Sequence, residues 1–128
     1  MSGQASVGVR LTSGERQRLD DLLTRSSRTF ALTIPLLPEP TRLEVTLAYL
    51  LFRVADTLED ATQWSTARKL DELDAFAALV EQEDGAQVEA QARQLAAAWR
   101  VDPPLAVAGY LELLGDLPFV LRATNALA

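Results

Sequence analysis

The apolar residues of this chain recur three and four positions apart, in blocks separated by proline, glycine or charged turns. That period predicts helices, and no stretch alternates as a strand would. Met1 to Arg10 reads as a loose arm. Thr12, followed three positions later by Glu15, is a capping-box start, and the helix behind it carries Leu19, Leu22 and Leu23 on one side until about Arg25. Ser26 and Ser27 open a short apolar helix that Pro35 must kink or end, and Pro38 and Pro40 mark a turn. Pro40 to Ala61 reads as one long helix. Ser65 caps the next, with Leu70, Leu73, Phe76, Ala77 and Val80 at helical spacing. Glu81 to Gly85 is a charged loop, Gln87 to Trp99 is strongly helix-prone, and Asp102-Pro103-Pro104 breaks that helix. Leu105 to Leu114 and Leu117 onward form the last two helices, separated by Gly115-Asp116. The expectation is an all-α helical bundle: a loose arm over 1–10, helices bearing the motifs over 11–61, and scaffold helices over 62–128. Trp64, Trp99 and Tyr110 are expected as core or interface aromatics.

The long helix, PTRLEVTLAYLLFRVADTLEDA, is apolar all round except for one stripe holding Thr46, Tyr49, Arg53, Asp56, Thr57 and Asp60, with Glu59 at its flank. At roughly 100° per residue the stripe occupies about a third of the circumference. The expectation is a mostly buried helix with its polar groups gathered on one side. Asp56, Glu59 and Asp60 then point the same way, three and four positions being neighbours on a helix. Buried acids so placed repel one another and resist ionisation unless positive charge compensates. Arg53, one turn earlier, supplies one charge. A hard divalent cation such as Mg²⁺, which joins one or two carboxylates to a substrate phosphate, would supply the rest. The alternative is a solvated acidic helix end, against which the helix dipole counts mildly. Arg28, beside serines at a helix start, adds a candidate anion contact, with a plain cap and a solvent-facing arginine as the alternative.

Composition narrows the chemistry. The net charge is −6, from 12 basic and 18 acidic residues, so no basic face is available for nucleic acid. The chain has no cysteine and no histidine. Disulfides, zinc–thiolate sites, thiol nucleophiles and a histidine general base are therefore excluded, leaving carboxylates, Arg, Lys, Tyr and bound metal. The N-terminus lacks the apolar core of a signal peptide, and the run from Val45 to Phe52 is far short of the roughly 20 residues that span a bilayer. The expected setting is cytoplasmic, with peripheral membrane contact allowed.

The segment from Ser27 to Asp60, SRTFALTIPLLPEPTRLEVTLAYLLFRVADTLED, resembles the squalene synthase and phytoene synthase family of head-to-head prenyl transferases. The shared pattern is S-R-[ST]-F, an interval, then Y-x-x-x-R-x-x-D-x-x-E-D on one helix. The DTLED form is closer to squalene synthases. The resemblance implies the N-terminal part of an isoprenoid synthase type fold. It implies that Asp56, Glu59 and Asp60 form the first Asp-rich motif and hold Mg²⁺, or Mn²⁺ in its place, against a prenyl diphosphate. Arg28 and Arg53 would contact diphosphate oxygens, Ser27 would orient that end, Tyr49 with Arg53 would serve the catalytic step, and Phe30 would line the hydrophobic cavity. Two prenyl diphosphates, farnesyl foremost, would join head to head, with NADPH used if the reaction is that of squalene synthase.

The family's bundle is roughly twice as long and carries a second Asp-rich motif on a facing helix. This chain shows none in a matching setting: Asp71-Glu72-Leu73-Asp74 comes too soon and sits on a surface-like helix. The C-terminal membrane anchor of some family members is likewise not expected within these residues. The chain is thus expected to be an incomplete synthase, finished by a missing C-terminal half, a second subunit or self-association. A non-catalytic diphosphate-binding or interaction module derived from such a synthase is the alternative. Terpene cyclases and head-to-tail synthases carry related acidic motifs without the Ser27–Phe30 element.

Overall fold

The structure, a computed structural model, describes residues 11–127; the arm expected over 1–10 lies outside them. The described residues form helices and turns with no strand: α1 (Ser13–Ser26), α2 (Arg28–Thr33), a 3₁₀ turn (Ile34–Leu36), α3 (Thr41–Glu59), α4 (Thr66–Glu81), α5 (Gly85–Val101), α6 (Ala108–Gly115) and α7 (Leu117–Asn125). No helix among them is long and apolar enough to cross a membrane.

The local signals act as expected. Thr12 Oγ1 accepts from the Glu15 N–H and the Glu15 carboxylate accepts from the Thr12 N–H, closing the capping box of α1. The backbone hydrogen bond from Thr12, with a smaller contribution from Arg122, holds the Glu15 carboxyl below its ordinary value of 4.5. A carboxyl lowered on folding contributes stability above its unfolded value and loses it as pH falls through the folded one. Wild-type and Glu15→Gln unfolding midpoints should therefore differ at neutral pH and converge as a denaturation series descends below about pH 4. Ser65 caps α4 through its side-chain oxygen; Asp84, expected only as part of a charged loop, caps α5, which starts at Gly85 rather than Gln87. Pro35 ends α2 by tightening it into the 3₁₀ turn, since proline offers no N–H to continue the ladder.

The helix expected from Leu105 begins instead at Ala108. Pro103 and Pro104 lack N–H groups, and the following residues run non-helically past the end of α3, where the Gln63 N–H donates to the Pro104 carbonyl. The helix α7 closes at Asn125, its last turn tightened by the Leu127 N–H on the Thr124 carbonyl.

α3 is the central element, packing on α1, α4, α6 and α7. Leu43, Leu47, Leu50, Val54 and Leu58 form its buried face, four or three apart. Contrary to the mostly buried helix expected from its apolar content, the face opposite these residues reaches solvent: Ala48 is exposed and Phe52 is 61% exposed. Trp64 and Trp99 are buried as expected. The Trp64 indole donates to the Asp102 carbonyl and the Trp99 indole to the Glu72 carboxylate, tying α4 to the end of α5. Glu72 thus departs from the surface-like reading of its helix: its side chain is largely buried and also pairs with Arg68.

Candidate diphosphate and metal site

The site grows from the C-terminal half of α3. A 3.6-residue repeat puts Tyr49, Arg53 and Asp56 in adjacent turns of one face. The Tyr49 hydroxyl donates to the Ser26 carbonyl at 3.3 Å, at the end of α1, and accepts from Arg53 Nε at 3.3 Å. Arg53 Nη1 donates to Asp56 Oδ2 at 2.7 Å. The two sequence elements therefore meet physically: the chain end that leads into Ser27 and Arg28 is bonded to the tyrosine that holds the arginine. The two buried threonines of the stripe are satisfied on the helix itself, Thr46 donating to the Arg42 carbonyl and Thr57 to the Arg53 carbonyl.

Ser27 is the N-cap of α2, its hydroxyl accepting from the Phe30 N–H at 3.2 Å. It fixes the first turn that carries Arg28 and Phe30. Arg28 is exposed and makes no ion pair among the described residues. Phe30 is 46% exposed, its ring tilted 47° to Tyr49 with centroids 4.9 Å apart.

Asp56, Glu59 and Asp60 are the one acid cluster among the described residues able to hold a metal ion, each offering a carboxylate oxygen within 4.8 Å of the others. They are not buried. Asp56 is half-buried, whereas Glu59 and Asp60 are exposed, because they lie on the outward side of the last turn of α3, whose Thr57 and Leu58 stay buried. Water therefore screens their repulsion, and the demand for a compensating cation is smaller than burial would make it. What remains is local. Arg53 neutralises Asp56 alone, and Asp60 caps α3 at the negative end of the helix dipole. Three oxygen donors, two without a basic partner among the described residues, suit a hard divalent ion that keeps several waters and shares a phosphate ligand.

Burial opposes the charge on Arg53, yet the Tyr49 hydroxyl, with help from Tyr110 and Asp56, raises the guanidinium above its ordinary value. It is a permanent cation beside the acids, and its Nη2 has no hydrogen-bond partner among the described residues. Tyr110 is the residue that the sequence did not mark. Expected as a core or interface aromatic, it is half-buried on α6 and lies under Arg53, ring centroid 4.8 Å from the guanidinium carbon. Nothing in its local pattern signals this, since the contact exists only through the packing of α6 on α1 and α3.

The arrangement can bind an oxyanion with Arg53, and with Arg28 if that side chain turns inward, while the carboxylates hold a divalent cation on the same group. A family model described as squalene/phytoene synthase matches residues 23–110, more than half of the chain and all of the site. No curated protein and no solved structure matches it.

Proposed function

Because this chain belongs to the squalene/phytoene synthase family, we propose that it supplies the diphosphate-ionising half of a head-to-head prenyl transferase site. The observation that carries the reading is the bonded series from the Ser26 carbonyl through Tyr49 and Arg53 to Asp56, ending beside Glu59 and Asp60. Asp56, Glu59 and Asp60 would hold magnesium, which when bound supplies Lewis-acid polarisation of diphosphate oxygens. Arg53, through Nη2, and Arg28 bind the departing diphosphate by charge-assisted hydrogen bonds. Tyr49 keeps Arg53 in place, and Ser27 sets the turn that presents Arg28. The half-exposed Phe30 ring is an apolar, electron-rich wall for the prenyl chain as positive charge develops. The substrates are two prenyl diphosphates, farnesyl foremost. A second acid cluster, from another segment or subunit, completes the site.

The test is titration of the chain with inorganic pyrophosphate at fixed Mg²⁺, comparing wild type with Asp60→Asn. Loss of even an indirect partner of a metal ligand costs about 10- to 100-fold in affinity, so removal of a ligand should weaken binding by about tenfold or more. Helicity should hold, and metal-free stability should rise by about 0.3 kcal/mol, because a negative charge leaves the negative end of α3. An unchanged titration would remove the metal assignment. With farnesyl diphosphate and Mg²⁺ the chain alone should release little diphosphate, and robust release would show that no second cluster is needed. Continued silence with every added partner would favour the binding-module alternative.

A further inference from the structure

We propose that Tyr110 is a positioning residue for Arg53: its ring holds the guanidinium beside the acid cluster, with Nη2 left for an incoming anion. This inference deepens the diphosphate-site reading and rests on it. Arg53 donates its two hydrogen bonds to Tyr49 and Asp56, both on its own helix. The Tyr49 contact is long at 3.3 Å, and the Asp56 pair spans a single turn of a half-exposed helix end. Neither bond ties the side chain to another helix. The face of Tyr110 is a contact of another sort. It comes from α6, it lies 4.8 Å from the guanidinium carbon, and it is the nearer of the two rings, the Tyr49 centroid being 5.9 Å away.

Both rings take their places from the last turn of α1. The Ser26 carbonyl receives the Tyr49 hydroxyl. The preceding carbonyl, that of Arg25, packs against Gly109 so closely that a Cβ at 109 would overlap its oxygen and lie 3.2 Å from its carbon. The absence of a side chain at 109 therefore lets α6 approach α1 and brings the next residue, Tyr110, against Arg53. The Arg25–Glu112 ion pair at 3.0 Å lies one turn further along the same contact. Two consecutive carbonyls of one helix end thus fix the two rings that flank the arginine. The Tyr110 hydroxyl makes no hydrogen bond among the described residues, so the ring face alone carries the effect.

The experiment has two readouts on the full chain: calorimetric titration with inorganic pyrophosphate in Mg²⁺, and the Nε–Hε resonance of Arg53 in an arginine-labelled sample, assigned by its loss in Arg53→Lys. Tyr110→Leu should weaken pyrophosphate by about 3- to 30-fold, the span of a partly desolvated cation–π contact. It should also return the Arg53 resonance toward that of a free arginine. Tyr110→Phe should keep both wild-type values. Tyr110→Met replaces the leucine variant if the latter loses helicity, and should behave as it does. An unmoved Arg53 resonance in the leucine or methionine protein would overturn the proposal, whatever happens to affinity, and so would loss of both signals in Tyr110→Phe. If the wild type binds no pyrophosphate at all, the diphosphate reading fails instead, and the Arg53 resonance still decides the role of Tyr110.

Discussion

A Gly109→Val protein is expected to lose about 3 kcal/mol of stability, the upper part of the range for forcing atoms into a packed contact. The group in the way is a backbone carbonyl, that of Arg25, and it has no rotamer to escape into. Relief must come from moving α6 away from α1, which also draws Tyr110 off Arg53 and separates the Arg25–Glu112 pair. Urea unfolding of the variant measures the loss. Gly115 is the internal control. A Cβ there would meet only the end of the Arg100 side chain, at an ordinary 3.6 Å. Gly115→Ala should be neutral or stabilising by up to about 1 kcal/mol, because alanine loses less conformational freedom on folding. Equal destabilisation of the two variants would refute the close approach at Gly109.

The second large effect lies in the scaffold that supports the site. Trp99 is 1% exposed, and its indole donates to Glu72 Oε1 at 2.6 Å. Truncation to alanine removes most of a large buried ring and leaves a cavity where α5 meets α4 and α6, at a cost of about 3–5 kcal/mol. That is a large share of the roughly 5–15 kcal/mol available to a domain, and the thermal midpoint should fall by about 10–20 °C. Trp99→Phe keeps most of the volume and gives up the hydrogen bond. Its cost should be about 1–2 kcal/mol, since Glu72 retains Arg68 at 3.2 Å. If both variants melt with the wild type, Trp99 is not a centre of the core.

The division between what was legible and what was not follows the range of the forces involved. The capping box at Thr12 and Glu15, the caps at Ser27 and Ser65, and the stop at Pro35 are set within a turn of chain, and the structure places each of them where the sequence does. The same locality made the cluster of Asp56, Glu59 and Asp60 readable, because helical spacing alone brings those carboxylates together. The start of the sixth helix was misjudged because a tertiary hydrogen bond, Gln63 to Pro104, holds the chain non-helical beyond the proline pair.

Burial was the larger misreading. Apolar content around the whole of α3 suggested enclosure, but enclosure is a property of neighbours. Leu50 and Phe52 are both apolar residues of one helix, yet one is fully buried and the other 61% exposed. By itself the sequence determined most of the helices, the acid cluster, and the place of Arg53 one turn from Asp56, since these depend on spacing along one chain segment. Only the tertiary structure decided that the acids stand at the edge of the core, that the end of α1 fixes Tyr49, and that Tyr110 lies against Arg53. Those facts depend on how closely separate helices approach, and a missing Cβ at Gly109 sets one such distance without leaving any periodic mark in the sequence.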